Sequence, residues 1–301
     1  MKRSLCLILV VLLSVGLFGC SKEKKTPDGY PVAVGDVIIN QKPQKIAVTS
    51  AALRSVMEQL GFGSITVDAS TVFSSGVGDL TGGSDEIDVV LTNEELYPAQ
   101  KQILQGVNVP FIVLELPKTL SELKLYWETL GRIADGDNGA VMATDKFQHL
   151  SAEITDLKLP QEATAILLYD KEHCAVEGLA AESLKAAGFT NAAGEVLQSD
   201  ITYDALKTVD PDYIFVAKGL KKSIQDDKTW SDLTAVKNGN VFEIDVMSIN
   251  FGSDKLFSEI KYMNSVMPVK KPLDSDVSGS DDSSDLNSTD IKDPNSGESD
   301  E

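Results

Sequence analysis

Reactive side chains are few in this chain of 301 residues, which has three cysteines, two histidines and a formal net charge of -19. His173 and Cys174 form the one adjacent pair that could act as a base and a nucleophile. The pair lacks a third, orienting group, and the chain has no Gly-x-Ser-x-Gly elbow, no Gly-rich phosphate loop and no His-Glu-x-x-His pair. The sequence therefore predicts a protein that is not an enzyme.

Cys20 follows a segment with the composition of a secretion signal. Lys2 and Arg3 precede a mainly apolar stretch at 5–18, and a lysine-rich segment comes after the cysteine. The apolar stretch is shorter than the about 20 residues that span a bilayer. Residues 17–20, Leu-Phe-Gly-Cys, resemble the lipobox of bacterial lipoproteins, in which cleavage exposes the cysteine and its thiol is acylated.

We therefore expect residues 1–19 to be a signal peptide and residues 20–35 to be a lipid-anchored tether. Cys20 would hold the protein on the outer face of the bacterial cytoplasmic membrane. Cys6 lies in the removed segment, so Cys174 is the one thiol left in the folded body and no intrachain disulfide can form. Such a chain depends on a sizeable hydrophobic core, which its length allows.

Negative charge is concentrated at the C-terminus. Residues 272–301 carry ten acidic side chains and one lysine, so this segment holds -9 of the -19 charges. It is rich in Ser, Asp, Asn and Gly and nearly free of large apolar residues, which predicts a disordered acidic tail over 271–301. The chain has three arginines and no basic patch, so the sequence predicts no nucleic-acid partner.

Strands and helices alternate along the rest of the chain. Short apolar runs predict buried strands, and they lie at 45–50, 65–70, 88–92, 110–116, 164–170, 213–217 and 241–245. Helical patterns between them predict α/β lobes with mostly parallel sheets. A longer helical pattern, interrupted at DGDNG, predicts a linking helix over 137–158. This places an N-terminal lobe at 36–136 and a C-terminal lobe at 159–270.

Five segments, taken in order, resemble the iron-complex and cobalamin substrate-binding proteins of ABC importers. They are KIAVTSAALRSVMEQLGFGSITVDAS, DVVLTNEELYPAQKQILQGVNVPFIVLELPKTLSELKLYWETLGRIADG, LKAAGFTNAAGE, TYDALKTVDPDYIFVAKG and WSDLTAVKNGNVFEID. The resemblance implies a class III periplasmic-binding-protein fold, with two Rossmann-like lobes joined by a single long helix. It further implies a ligand held in the cleft between the lobes and delivered to a membrane permease with a cytoplasmic ATPase. We expect a monomer.

Several side chains at the carboxyl ends of the predicted strands could line that cleft, because ligands of open α/β sheets bind there. Aromatic walls with a few polar groups suit a large planar or macrocyclic ligand. Lysines could meet its acidic groups, and His, Met or Tyr could ligate a haem iron. The candidates are Ser50, Phe73, Tyr97, Tyr169, His173, Lys218, Lys221, Met247 and Phe251.

The resemblance also implies one acidic residue on each lobe that pairs with permease arginines. Asp204 matches the position on the second lobe. The first lobe lacks room for the helix that carries the other acid, because the segment before the third predicted strand is short. Asp85 or Glu86 could substitute, and we take Glu86 as the candidate.

The ligand stays open between a ferric siderophore, haem and cobalamin, with no tightly bound cofactor and no bound metal site. The scarcity of arginine disfavours anionic catechol siderophores, since guanidinium binds such oxygens bidentately. Two distant histidines disfavour a bare zinc or manganese site. The alternative is a surface interaction protein that keeps the fold but has lost its ligand. A single rigid linking helix predicts only a small closure on binding.

Overall fold

The structure is a computed structural model that describes residues 28–69, 86–157, 163–194 and 201–267. The predicted signal peptide and acidic tail lie outside these ranges, as do Cys20 and Phe73. Across the described ranges, no helix combines the length and the apolar character that a membrane crossing requires.

The N-terminal lobe contains a hairpin followed by a sheet with helices, which are β1 (Val32–Val34), β2 (Val37–Ile39), β3 (Ile46–Val48), α1 (Ala51–Gln59), a 3-10 turn (Gly63–Ile65), β4 (Thr66–Asp68), β5 (Val89–Thr92), α2 (Pro98–Gly106) and β6 (Phe111–Val113). The sheet is parallel and has the order β4-β3-β5-β6. Its central strands, β3 and β5, are buried on both faces, as parallel strands covered by helices require, and Ile46, Val89 and Leu91 are fully buried.

The folded body begins before the predicted boundary at residue 36. Tyr30 is buried and donates a hydrogen bond of 2.8 Å from its hydroxyl to the carbonyl oxygen of Ile133. Val32 is also buried and pairs with Ile39 across the hairpin. Two strands of three residues give too short a pattern to separate from a tether, so the sequence interpretation assigned residues 32–35 to the tether.

A helical segment of 36 residues, α3 (Leu120–Thr155), follows the first sheet. Asp135 and Gly136 have non-helical backbone angles and divide it into a first arm, 120–134, and a second arm, 137–155. The arms fold back on each other, because Gly131 lies against Gly139, whereas eight residues of straight helix would separate the two by about 12 Å. The second arm coincides with most of the predicted linking helix, and the interruption at DGDNG is the turn of a helical hairpin.

The C-terminal lobe repeats the strand and helix alternation with β7 (Thr164–Leu168), α4 (Gly178–Ala186), β8 (Thr190–Asn191), α5 (Tyr203–Val209), β9 (Tyr213–Ala217), α6 (Lys221–Gln225), α7 (Thr234–Lys237), β10 (Val241–Ile244), α8 (Val246–Asn250) and α9 (Lys255–Ser265). Its sheet is also parallel, with the order β10-β9-β7-β8. The predicted α/β class with parallel sheets is confirmed.

One hydrophobic core extends through both lobes and α3. At its centre three aromatic rings meet edge to face: Trp127 of the first arm lies 5.7 Å from Phe147 of the second arm and 6.1 Å from Phe257 of α9, measured between ring centroids. The indole N–H of Trp127 donates a buried hydrogen bond of 2.9 Å to the carbonyl oxygen of Gly252. The second lobe is therefore packed directly on the hairpin of α3.

A polar junction adds a second connection between the lobes. The Lys146 ammonium, on the second arm of α3, donates 2.7 Å to the backbone carbonyl of Gln59 at the end of α1. It also lies 2.9 Å from the carboxylate of Asp254, at the start of α9. The backbone N–H of Asp254 donates in turn to the side-chain oxygen of Gln59. One lysine thus holds both lobes to the linking arm.

Glycine is required where the two arms of α3 cross. A Cβ atom on Gly131 or on Gly139 would lie closer than 3.0 Å to the carbonyl oxygen of the other residue. Real Cβ atoms do not approach backbone oxygens so closely, so any side chain at either position forces the arms apart.

We expect Gly131→Ala to destabilise the protein by about 1–3 kcal/mol, because overpacking a close crossing shifts backbone and side chains. The measurement is the free energy of unfolding in urea. Gly106→Ala is the matched control, since a Cβ at that exposed end of α2 meets nothing within 4 Å. Equal stability of the two variants would contradict the hairpin crossing.

Candidate ligand-binding cleft

The strand order places a crevice between the ends of β3 and β5. In the order β4-β3-β5-β6 the chain runs to one side from β3 to β4 and then returns to the other side of β3 with β5. Such a reversal leaves an open crevice beyond the carboxyl ends of the two strands. Ser50 follows β3, Asn93 follows β5, and the Ser50 hydroxyl donates to the side-chain oxygen of Asn93. Ser50 also accepts the backbone N–H of Leu53 at 3.1 Å and so caps α1.

Asn93 anchors a half-buried polar network at the floor of this crevice. Its side-chain amide donates 2.9 Å to the carbonyl oxygen of Leu114 and 2.9 Å to the hydroxyl of Tyr126. Burial raises the pKa of Tyr126 to about 12, and the hydrogen bond from Asn93 opposes that rise. The network links β5, the end of β6 and α3, so the floor of the crevice is fixed before any ligand enters.

A cavity of about 460 Å³ opens above this floor. Ser50, Asn93, Tyr97 and Leu116 of the first lobe line it, together with Phe251 of the second lobe. The Tyr97 side chain is 76% exposed, so its ring is available to a ligand. Three of the sequence candidates, Ser50, Tyr97 and Phe251, are therefore brought to one cavity between the lobes.

The second lobe has its own reversal between β7 and β9. Tyr169 follows β7, and burial raises its pKa while its hydroxyl shares a hydrogen bond with Asn250. The backbone N–H of Tyr169 donates 3.0 Å to the carbonyl oxygen of His173. The His173 ring lies 2.8 Å from the Asp170 carboxylate, and this contact holds the pKa of Asp170 below its ordinary value. Tyr169 and His173 therefore share one loop.

The two candidate lysines have partners inside the second lobe. The ammonium of Lys218 lies 3.3 Å from the carboxylate of Asp245. The ammonium of Lys221 lies 5.5 Å from the centroid of the Phe242 ring, a cation–π contact. A ligand that used either ammonium group would have to share it with these partners.

The remaining described candidates lie on the surface. Met247 is exposed in α8, which ends directly before Phe251. Asp204 is exposed in the first turn of α5, and Glu86 is exposed three residues before β5. Within the described ranges, no group of three or more His, Cys, Asp or Glu residues could hold a metal ion.

Sequence reasoning missed Asn93, which lines the cavity, and Tyr126, whose hydroxyl accepts a hydrogen bond from Asn93. Asn93 lies in the predicted strand end at 92–95, so the sequence indicated its location at the cleft but not its hydrogen-bonding role. Tyr126 falls on the buried stripe of a helical pattern, where an aromatic residue indicates packing. Its contact with Asn93 joins positions 33 residues apart, which only the folded chain reveals.

Comparisons with known proteins agree with this architecture. Residues 88–246 match the family described as "Periplasmic binding protein". A curated relative, the uncharacterized ABC transporter substrate-binding lipoprotein YvrC of Bacillus subtilis (strain 168), is 23% identical over 289 residues, which cover 81% of this chain and 90% of the relative.

Solved structures with the same fold include an ABC-type Fe3+-hydroxamate transport protein of Saccharomonospora viridis, with a TM-score of 0.60 and 16% identity over 78% of this chain and 98% of that one. The periplasmic heme-binding protein RhuT of Roseiflexus sp. RS-1 has a TM-score of 0.60 and 14% identity over 74% and 97%. The vitamin B12 binding protein BtuF of Vibrio cholerae has a TM-score of 0.57 and 12% identity over 74% and 96%. The shared feature is the fold.

We expect Tyr126→Phe to change how stability depends on alkaline pH. A pKa raised from 10.0 to about 12 means that the folded protein holds the phenolic proton more tightly than the unfolded chain. The resulting stability is present below pH 10 and is lost as the pH rises through about 12. Removing the hydroxyl should therefore reduce the fall in unfolding free energy over this window, by at most about 1.4 kcal/mol per pH unit.

The measurement is urea unfolding at several pH values between 9 and 12. Val141→Ala is the control, because it removes an exposed side chain that carries no titrating proton, and its slope should equal that of the unchanged protein. An unaltered slope in Tyr126→Phe would contradict the burial of this hydroxyl.

Proposed function

Because this chain belongs to the periplasmic binding protein family, we propose that it is the extracytoplasmic solute-binding lipoprotein of an ABC importer. The observation that carries the proposal is the inter-lobe cavity at the reversal between β3 and β5, with Phe251 of the second lobe on its wall. Proteins of this family are non-enzymatic components of transport, which agrees with the absence of catalytic motifs from the sequence.

The cavity suits a compact ligand with apolar faces. Its volume of about 460 Å³ lies in the range of small-molecule sites, which are concave and mostly apolar with a few polar fixers. Tyr97, Leu116 and Phe251 supply the apolar wall, and Ser50 with Asn93 supplies the polar floor. Solved structures of this fold are described as proteins for Fe3+-hydroxamate transport, heme binding and vitamin B12 binding, so these are the three ligand classes to test.

Two further assignments complete the proposal. Asp204 and Glu86, both exposed, would pair with arginines of the permease when the loaded protein docks. Acylated Cys20 would hold the protein at the outer face of the cytoplasmic membrane, where it would collect its ligand close to the permease.

The test is a ligand screen on the protein that lacks residues 1–19 and carries Cys20→Ser, so that no lipid is attached. Haem, cobalamin and ferric hydroxamates are added in turn, and the thermal midpoint and the absorption spectrum are recorded. A ligand present at 100 times its dissociation constant stabilises the folded state by about 2.7 kcal/mol, which a midpoint shift reveals. No shift with any compound would contradict import of these classes and favour the ligand-free interaction protein.

Tyr97→Ala should weaken binding of the compound that shifts the midpoint, by about tenfold, because an aromatic contact is lost from the cavity wall. Stability without ligand should change little, since the side chain is exposed. Val141→Ala is the matched control, because Val141 is similarly exposed in α3 and does not line the cavity. Equal affinity in the two variants would contradict the proposal that the ligand binds in this cavity.

We expect ligand binding to produce only a small closure of the lobes. The shared aromatic core and the Lys146 junction resist a hinge movement because closing would break buried contacts on the linking arm. Small-angle scattering with and without the bound compound measures this directly. A radius of gyration that contracts by more than about 1 Å, well outside a rearrangement of loops and side chains, would contradict a rigid pair of lobes.

A further inference from the structure

The cavity between the lobes has an acidic wall. Among the described residues that line it, the charged side chains are Glu94 and Glu95, with no lysine or arginine. The arginines of the described ranges are engaged elsewhere: Arg54 faces Glu58 on α1 at 3.9 Å, and Arg132 binds two carboxylates near the turn of α3. Neither arginine lines the cavity.

The two carboxylates on the wall have different surroundings. Glu95 lies 2.5 Å from the ammonium of Lys101, which offsets its charge. Glu94 has no basic group within 4.0 Å in the part of the chain that the structure describes, so its charge is uncompensated. Of the two, Glu94 is the carboxylate that keeps its full charge beside the cavity.

The backbone of Glu94 is held in one position. The Thr92 hydroxyl donates 2.7 Å to the carbonyl oxygen of Glu94 and accepts its backbone N–H at 3.2 Å. Thr92 itself is buried at the end of β5. The turn that carries Glu94 is therefore fixed between Asn93 and Tyr97, and its side chain is exposed.

The lysines of the surrounding loops do not line the cavity, and three of them lie beside carboxylates. Lys218 lies 3.3 Å from Asp245, Lys171 lies 2.8 Å from Asp227, and Lys118 lies 3.8 Å from Glu177. Each of these pairs is close to neutral, and Lys221 contacts the Phe242 ring instead.

Aromatic rings on the cavity wall act in the same direction. The faces of Tyr97 and Phe251 carry partial negative charge and attract cations. We propose that the cavity selects a metal chelate with net positive charge, and that Glu94 is the residue that determines this preference. This inference rests on the proposed solute-binding function and narrows it, because haem, with two propionates, and catechol complexes are anionic.

The test uses one ferric trihydroxamate in three forms that differ only at a pendant group: a free amine with charge +1, its N-acetyl form with charge 0, and its N-succinyl form with charge -1. Dissociation constants are measured by titration calorimetry on the protein without residues 1–19 and with Cys20→Ser. We expect each unit of positive charge to tighten binding about threefold at low ionic strength. The preference should shrink in 0.5 M salt, where exposed charges are screened.

Variants assign the preference to one residue. Glu94→Gln should reduce the difference between the amine and succinyl forms, and Glu94→Lys should reverse it. Asp145→Asn is the matched control, since it removes an equal charge from an exposed position on α3 that does not line the cavity, and it should leave the preference intact.

The outcomes separate the two proposals. Equal binding of the three forms, tighter binding of the succinyl form, or an unchanged preference in Glu94→Lys overturns the charge inference and leaves the solute-binding function standing. Binding of none of the three, with a midpoint shift for haem or cobalamin, also overturns the charge inference alone. Binding of none of the three and no shift with any compound overturns both.

Discussion

The arrangement of the two lobes depends on the contacts of Trp127. Its ring joins the two arms of α3 through Phe147 and reaches the second lobe through Phe257, and its N–H holds the carbonyl oxygen of Gly252. Phe251, the residue before Gly252, lines the cavity opposite the first lobe. A single buried indole therefore connects the packing of the linking helix with the position of the cavity wall.

The cavity follows from the connectivity of the sheets more than from any special sequence. Alternating apolar runs and helical patterns are strong signals for parallel α/β lobes, and ligands bind where the strand order reverses. Ser50, Tyr97 and Phe251 could be named in advance because each follows an element that ends at this edge. The resemblance to a family added the expectation of two such lobes facing one cleft.

Other features could not be predicted because they arise from contacts between distant positions. The helical pattern over 120–155, with its interruption at DGDNG, does not encode how its two arms are arranged, whereas the contact between Gly131 and Gly139 shows that they fold back. Lys218 lies at the expected strand end, yet its ammonium pairs with Asp245, 27 residues further along. Charge pairing of this kind depends on side-chain direction, which a pattern of residue types does not encode.

The turn of α3 also bears on how far the folded body can lie from a membrane anchor at Cys20. The carbonyl group of Asp28 lies against Gly136, so the chain leaves the body beside that turn, eight residues after Cys20. With Cys20 acylated as proposed, those residues span at most about 29 Å. The body would then move in a thin layer above the membrane, where the short distance gives the permease a high effective concentration of its partner. Capture and delivery would become a search in two dimensions.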